Sequence, residues 1–232
     1  MQQTKHHSHQ TLTTARAVDH SPHTGVVGRV KMLREMVRSP AQIGAIAPSG
    51  HRLAREMLHQ AGLDVEHRAA QGKHAPRPRV VVEYGPGTGV ITDELIKLLK
   101  PEQHFFAVEL NASMAAVFRR RHPGVRLHER SVAEICKACA AEGLGENGAI
   151  DVVVSGLPWS AFPLALQHEL LAATAAALKP GGVMVTFAYH TGLLLASGRS
   201  FAKLLPQYFS RVTRSRPVWL NLPPAFVYRC VK

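Results

Sequence analysis

The chain has 232 residues of which 46% are hydrophobic, enough for one α/β domain with a full core and too short for two comfortable ones. Its 28 basic and 16 acidic residues leave a formal charge of +12, which excludes an acidic solvating protein and calls for an anionic partner, either nucleic acid or a lipid headgroup plane. No run approaches the roughly 18 apolar residues of a membrane span, and the His-rich start lacks the apolar core of an export signal, so a cytosolic protein is expected.

Residues 1 to 24 are rich in His, Ser, Thr and Gln without apolar periodicity and read as a mobile tail, in which His6-His7-Ser8-His9 is no more than an adventitious metal binder. From Val26 to Arg38 the apolar positions Val26, Val30, Leu33 and Val37 recur at helical spacing, with Arg29, Lys31, Arg34 and Arg38 over much of the remainder. Such a helix either covers a core with a solvated basic face or lies on anionic lipid. An apolar loop bracketed by Pro40 and Pro48 leads to Ser49, a candidate N-cap for a helix carrying Leu53, Met57 and Leu58. Gly62 to Pro78 reads as a linker, so residues 25–78 form an N-terminal helical cap and 79–232 the main domain.

Beyond it, strands over 79–84, 104–109, 125–128, 150–155 and 182–189 alternate with helices over 90–99, 111–121, 132–141 and 164–178. That alternation predicts an α/β fold with a parallel, doubly wound sheet. After a helical segment near 199–206, two β-rich runs over 210–220 and 225–231 are too close for a helical crossover and predict an antiparallel hairpin at the end of the sheet. Cys136, Cys139 and Cys230 do not form a disulfide framework, and the Cys-x-x-Cys pair reads as a helix face rather than a metal site.

The chemistry centres on Glu83-Tyr84-Gly85-Pro86-Gly87-Thr88-Gly89, directly after the first strand, with Glu109 ending the second. Glycines at alternate positions let a loop pass close to a ligand, and an acid at the end of the next strand can accept both ribose hydroxyls. The loop has no P-loop lysine, and Val90 stands where a dinucleotide fingerprint has its third glycine. The spacing resembles motif I of S-adenosylmethionine-dependent methyltransferases, which implies that residues 83–89 contact the methionine half of that cofactor and Glu109 its ribose, with Leu110, Ser131 and Val132 completing the site. Many such relatives carry Asp where Ser131 stands.

The turn after the fourth strand, Ser155-Gly156-Leu157-Pro158-Trp159, resembles the Asn-Leu-Pro-Tyr and Asp-Pro-Pro-Tyr turns of amine methyltransferases. There carbonyls orient the attacking nitrogen and an aromatic ring faces it, a role that falls here to Trp159. Gly156 replaces the Asn or Asp, so an in-plane acceptor for a nucleobase amine is missing. With Ser39-Pro40, Gly44-Ala45, Pro48-Ser49 and Asn221-Leu222-Pro223-Pro224-Ala225, these motifs resemble the Rhodobacter type of bacterial phospholipid N-methyltransferase from about residue 27 onward.

The resemblance implies a Rossmann-like, seven-stranded class I fold, S-adenosylmethionine as cofactor, and conversion of phosphatidylethanolamine toward phosphatidylcholine. It also implies an amphipathic helix, with Arg29, Lys31, Arg34 and Arg38, held on the anionic inner face of the cell membrane. Tyr189 and His190, after the fifth strand, are candidates to take the amine proton. Arg199 and Lys203, in a segment with no acid after Glu169, are candidates for the headgroup phosphate. Methylation of RNA, as in the ribosomal adenine dimethyltransferases, and a non-catalytic lipid-binding protein are the alternative expectations; no specific nucleic acid and no metal is expected under the leading one.

Overall fold

The computed structural model describes residues 50–64 and 78–232. The basic segment with Arg29, Lys31, Arg34 and Arg38, the loop after it and the Ser49 cap lie outside the described residues, as does most of the expected linker.

Short β-branched runs separated by helical segments give a single sheet, because each parallel pair of strands needs a crossover to bring the chain back. The strands are β1 Val80–Tyr84, β2 His104–Val108, β3 Arg126–His128, β4 Ile150–Ser155, β5 Leu178–Tyr189, β6 Arg211–Arg214 and β7 Ala225–Val231. They lie side by side in the order β3-β2-β1-β4-β5-β7-β6. The first five are parallel, while β7 runs antiparallel to both β5 and β6. The helices are α1 Gly50–Gln60, α2 Val90–Leu98, α3 Ala112–Arg121, α4 Ile135–Ala141, α5 Leu164–Ala177 and α6 Ala196–Leu204.

Side-chain alternation along β1 divides the core into two layers. Val80, Val82 and Tyr84 join Ile135 of α4, Leu170 of α5 and Phe201 of α6 on one side. Val81, with Val154 and Val185 of the neighbouring strands, meets Leu53, Met57 and Leu58 of α1 and Leu95 of α2 on the other. Glu94 of α2 ties α1 down, accepting Arg55 Nε at 3.0 Å and lying 3.0 Å from His51 Nδ1. At the opposite end of α1, Arg229 Nε of β7 donates to the Gln60 carbonyl at 2.9 Å. Across the sheet, Asp151 of β4 accepts the Val80 amide at 2.8 Å and Lys179 Nζ at 2.9 Å, joining three strands at their amino ends.

Two elements differ from the sequence expectation. β5 begins at Leu178, because the ladder with β4 continues through a register shift at Ile150/Val152 where Pro180-Gly181-Gly182 bends the strand. The run 210–220 is a strand only as far as Arg214. Pro217 brings no amide hydrogen to the ladder, and the chain returns to β7 through Ser215, whose amide donates to Val227 O and whose hydroxyl accepts the Val227 amide, and through an isolated Val218–Ala225 bridge.

Helix α3 starts where Asn111 caps it, the side-chain oxygen accepting the Ser113 and Met114 amides at 2.9 and 3.2 Å. Asn111→Ala is expected to cost about 1 kcal/mol, which lowers the thermal midpoint by about 2–4 °C in a protein of this size and is read by calorimetry.

Candidate active site

All parallel strands end at one edge of the sheet, and the turns that leave β1, β2 and β4 meet there. The turn after β1 needs glycine because Gly85, Gly87 and Gly89 adopt φ of 62°, 56° and 87°, a region L-residues with side chains rarely enter. Among the described residues no atom lies within 4 Å of a Cβ placed on Gly87, so that side of the turn is open to a ligand. Behind it, a Cβ on Gly89 would stand 2.2 Å from His122 Nε2.

His122 and its neighbour brace the turn, and sequence reasoning missed them because a basic helix end followed by His carries no motif. Arg121 donates to the Thr88 carbonyl at 3.1 Å and pairs with Asp93 of α2, while buried His122 Nε2 lies 3.5 Å from the same carboxylate. Thus the last turn of α3 grips both the Gly-rich loop and the helix that follows it.

Two carboxyls are buried beside the loop. Glu83 is fully buried; the Thr92 hydroxyl donates to its Oε2 at 2.7 Å, and its Oε1 has no partner among the described residues. Burial pushes its pKa up to about 8 against the opposing Thr92 hydrogen bond, and the negative charges of Asp93 and Glu109 add to the rise. Glu109 leaves β2 beside the loop and accepts the Asn111 amide at 2.8 Å and the Gly87 amide at 3.4 Å. Burial raises its pKa as well, and these backbone hydrogen bonds work against the rise. Two undercompensated buried acids favour a ligand that brings positive charge and hydrogen-bond donors.

The turn after β4 packs directly on this loop. The Gly156 amide donates to Tyr84 O at 2.8 Å, and a Cβ on Gly156 would lie 2.8 Å from Gly85 O. This contact is the physical reason for glycine where the amine methyltransferase turns have Asn or Asp: the backbone is too close for a side chain.

Three sequence expectations are corrected here. Trp159 does not face open space; it is 2% exposed, stacked on Phe201 with ring centres 5.8 Å apart. Ser155 is buried and structural, its Oγ accepting Trp159 Nε1 at 2.9 Å and holding the indole in the core. The Tyr84 side chain is also fully buried, in the layer of α4 and α5, so only its backbone reaches the loop. An indole placed after a Pro turn had a deeper apolar slot available than the ligand edge, and its one polar atom is satisfied there.

The other candidates spread along the same edge. Leu110 and Val132 belong to the α4–α5 layer, and Ser131 Oγ caps a short 3-10 turn by accepting the Ala133 amide at 3.2 Å. Leu157 lies against Gly85, and Pro158 begins the turn that buries Trp159. Tyr189 packs edge-on to Phe187 on the α1 face of the sheet, where burial raises the pKa of its phenol. His190 is exposed and stacks on Trp219 with ring centres 5.9 Å apart. Arg199 donates through one nitrogen to the carbonyls of Leu193 and Leu194, and Lys203 is exposed in the last turn of α6.

The comparisons agree with this geometry. Residues 81–182 match the family described as a methyltransferase domain. Over 158 residues, 66% of this chain and 75% of the relative, the chain is 31% identical to an ornithine lipid N-methyltransferase of Singulisphaera acidiphila. Among solved structures, an O-methyltransferase from Bacillus cereus bound to S-adenosylhomocysteine (SAH) superposes with a TM-score of 0.57 at 14% identity, covering 89% of this chain and 90% of that one. The N-methyltransferase NodS from Bradyrhizobium japonicum, also with S-adenosylhomocysteine, gives 0.54 at 11% identity, covering 80% and 88%.

A seven-stranded sheet with a ligand loop after its first strand therefore defines a Rossmann-like methyltransferase fold. The chain belongs to the S-adenosylmethionine-dependent methyltransferases. S-adenosylmethionine is its cofactor, and the residues fit it: the open face at Gly87, the unpartnered oxygen of Glu83 and the carboxylate of Glu109 suit a cationic nucleoside.

Two expectations follow from the carboxyls. In the ligand-free protein Glu83 keeps its proton well above the pH at which the unfolded chain releases it, so its contribution to stability is full in acid and fades as pH rises toward about 8. Glu83→Gln removes that dependence, and melting curves across this range should fall less steeply than those of the wild type. Glu109 must be ionised to accept ribose hydroxyls, and its raised pKa makes cofactor affinity fall with acidification at a pH above the usual carboxylate range. Calorimetry should show that loss, together with a drop of at least about tenfold in Glu109→Ala at neutral pH.

Proposed function

We propose that the protein methylates the headgroup amine of a lipid, with phosphatidylethanolamine and its mono- and dimethyl forms as acceptors on the way to phosphatidylcholine, at an anionic membrane surface. The observation that carries this reading is the similarity over 158 residues to a lipid N-methyltransferase. The glycine contact at 156 and 85 supports it, since no side-chain acceptor is present there to hold a planar nucleobase amine. The absence of acids after Glu169 supports an anionic partner. Among the described residues no helix is long and apolar enough to cross a membrane, so the lipid would be met at its headgroup.

When bound, S-adenosylmethionine supplies a methyl group on a sulfonium. The turn 155–159 and the loop 85–89, in backbone contact, would hold the acceptor amine and the cofactor next to each other. To accept that methyl group, the amine must first lose the proton it carries at neutral pH. His190, exposed at this edge, is the group we assign to take it; the Tyr189 phenol is tucked on the α1 face. Arg199 and Lys203 supply positive charge for the headgroup phosphate.

A second acceptor, the amine of an ornithine lipid, is favoured by the same relative. Purified protein given tritiated cofactor and vesicles of phosphatidylethanolamine, ornithine lipid or both is expected to label lipid, with the products resolved by thin-layer chromatography. Label in ornithine lipid alone would reassign the acceptor, and label only in added RNA would overturn the lipid reading.

A further inference from the structure

Seven large apolar side chains are exposed among the described residues: Ile96, Leu164, Leu194, Leu195, Trp219, Leu220 and Leu222. Six of them share one edge of the molecule. Leu194 and Leu195 follow β5, and Leu164 follows the turn after β4. Trp219, Leu220 and Leu222 lie between β6 and β7, and the antiparallel pairing of Tyr189 with Ala225 brings that loop to the carboxyl end of β5. Ile96 alone sits elsewhere, near the far end of α2.

These segments are built rather than loose. The His190 amide donates to Pro224 O at 2.8 Å, and its ring stacks on Trp219, coupling the two loops. Asn221 is buried, its side chain donating to Pro223 O at 2.6 Å, so that Leu220 and Leu222 on either side of it point outward at 67% and 77% exposure. Exposed Arg199, Lys203, Arg214 and Arg216 lie on the same segments or the helix and strand next to them, and no acid occurs in this part of the sequence. An apolar tip with a basic rim is the composition of a surface that enters an interface: the apolar side chains leave water while the cations stay at the level of anionic headgroups.

We propose that residues 190–195 and 215–224 form a membrane-docking surface that seats the mouth of the active site on anionic lipid, independently of the basic segment at 26–38. The surface deepens the lipid reading and rests on it for its purpose, since an acceptor amine can then reach the edge without its acyl chains leaving the bilayer.

The test uses the full chain and vesicles of phosphatidylglycerol carrying brominated acyl chains, which quench tryptophan only at short range. Of the two tryptophans, Trp159 is buried and Trp219 is 66% exposed. Quenching is expected in the wild type and should be lost in Trp219→Phe. A variant with Leu194, Leu195, Leu220 and Leu222 all changed to Ser should keep cofactor affinity and show vesicle partitioning lowered about tenfold or more. Unquenched Trp219 in vesicle-bound protein, or undiminished partitioning of the four-fold variant, would overturn the proposal; so would a response of Trp219 to RNA but not to vesicles. Quenching without methylation of any lipid would leave this surface standing and remove the aminolipid reading, while lipid methylation with unquenched Trp219 would do the reverse.

Discussion

The fold of this protein turns on one close approach, the packing of the β4 turn against the Gly-rich turn of β1. Glycine on both sides of the contact lets backbone meet backbone, with the Gly156 amide tied to Tyr84 O. A side chain at 156 would push the turns apart, and one at 85 would have to adopt φ of 62° and displace the Leu157 side chain. On either side of this contact Ser155 and Trp159 face inward. With position 156 pressed against the loop, the indole occupies the slot lined by Phe162 and Phe201, where Ser155 Oγ receives its hydrogen.

Electrostatics then separates the interior of the site from its exterior. Glu83 and Glu109 place two buried carboxyls at the inner end of the loop inside a chain of net charge +12, and burial raises the pKa of both. Thr92, Gly87 and Asn111 donate to these carboxyls, and Arg121 reaches only the carbonyl side of the loop, where Asp93 fixes it. A cationic cofactor is thereby drawn to the core of the edge, while the surrounding surface attracts anions.

Much of this was legible in the sequence because periodicity and glycine spacing act locally. The strands and helices, the sheet with its antiparallel end, and the pairing of the Gly85–Gly89 turn with Glu109 all follow from runs a few residues long. What escaped was decided by contacts distant along the chain. The burial of Trp159 depends on Phe201, more than forty residues later, and the brace formed by Arg121 and His122 depends on α3 ending beside Thr88. Likewise β6 stops at Arg214 because Pro217 and the Ser215 exchange with Val227 divert the chain, which no pattern within 210–220 foretells.

The place of β7 has a consequence for how the molecule is made. This strand lies inside the sheet, between β5 and β6, although it follows both in the chain. Among the described residues β6 has no other neighbour in the sheet, so that pairing waits until residues 225–231 have left the ribosome and inserted. Only then are both ends of the Trp219 loop fastened, so a chain stopped short of Ala225 lacks the frame that turns Leu220 and Leu222 outward.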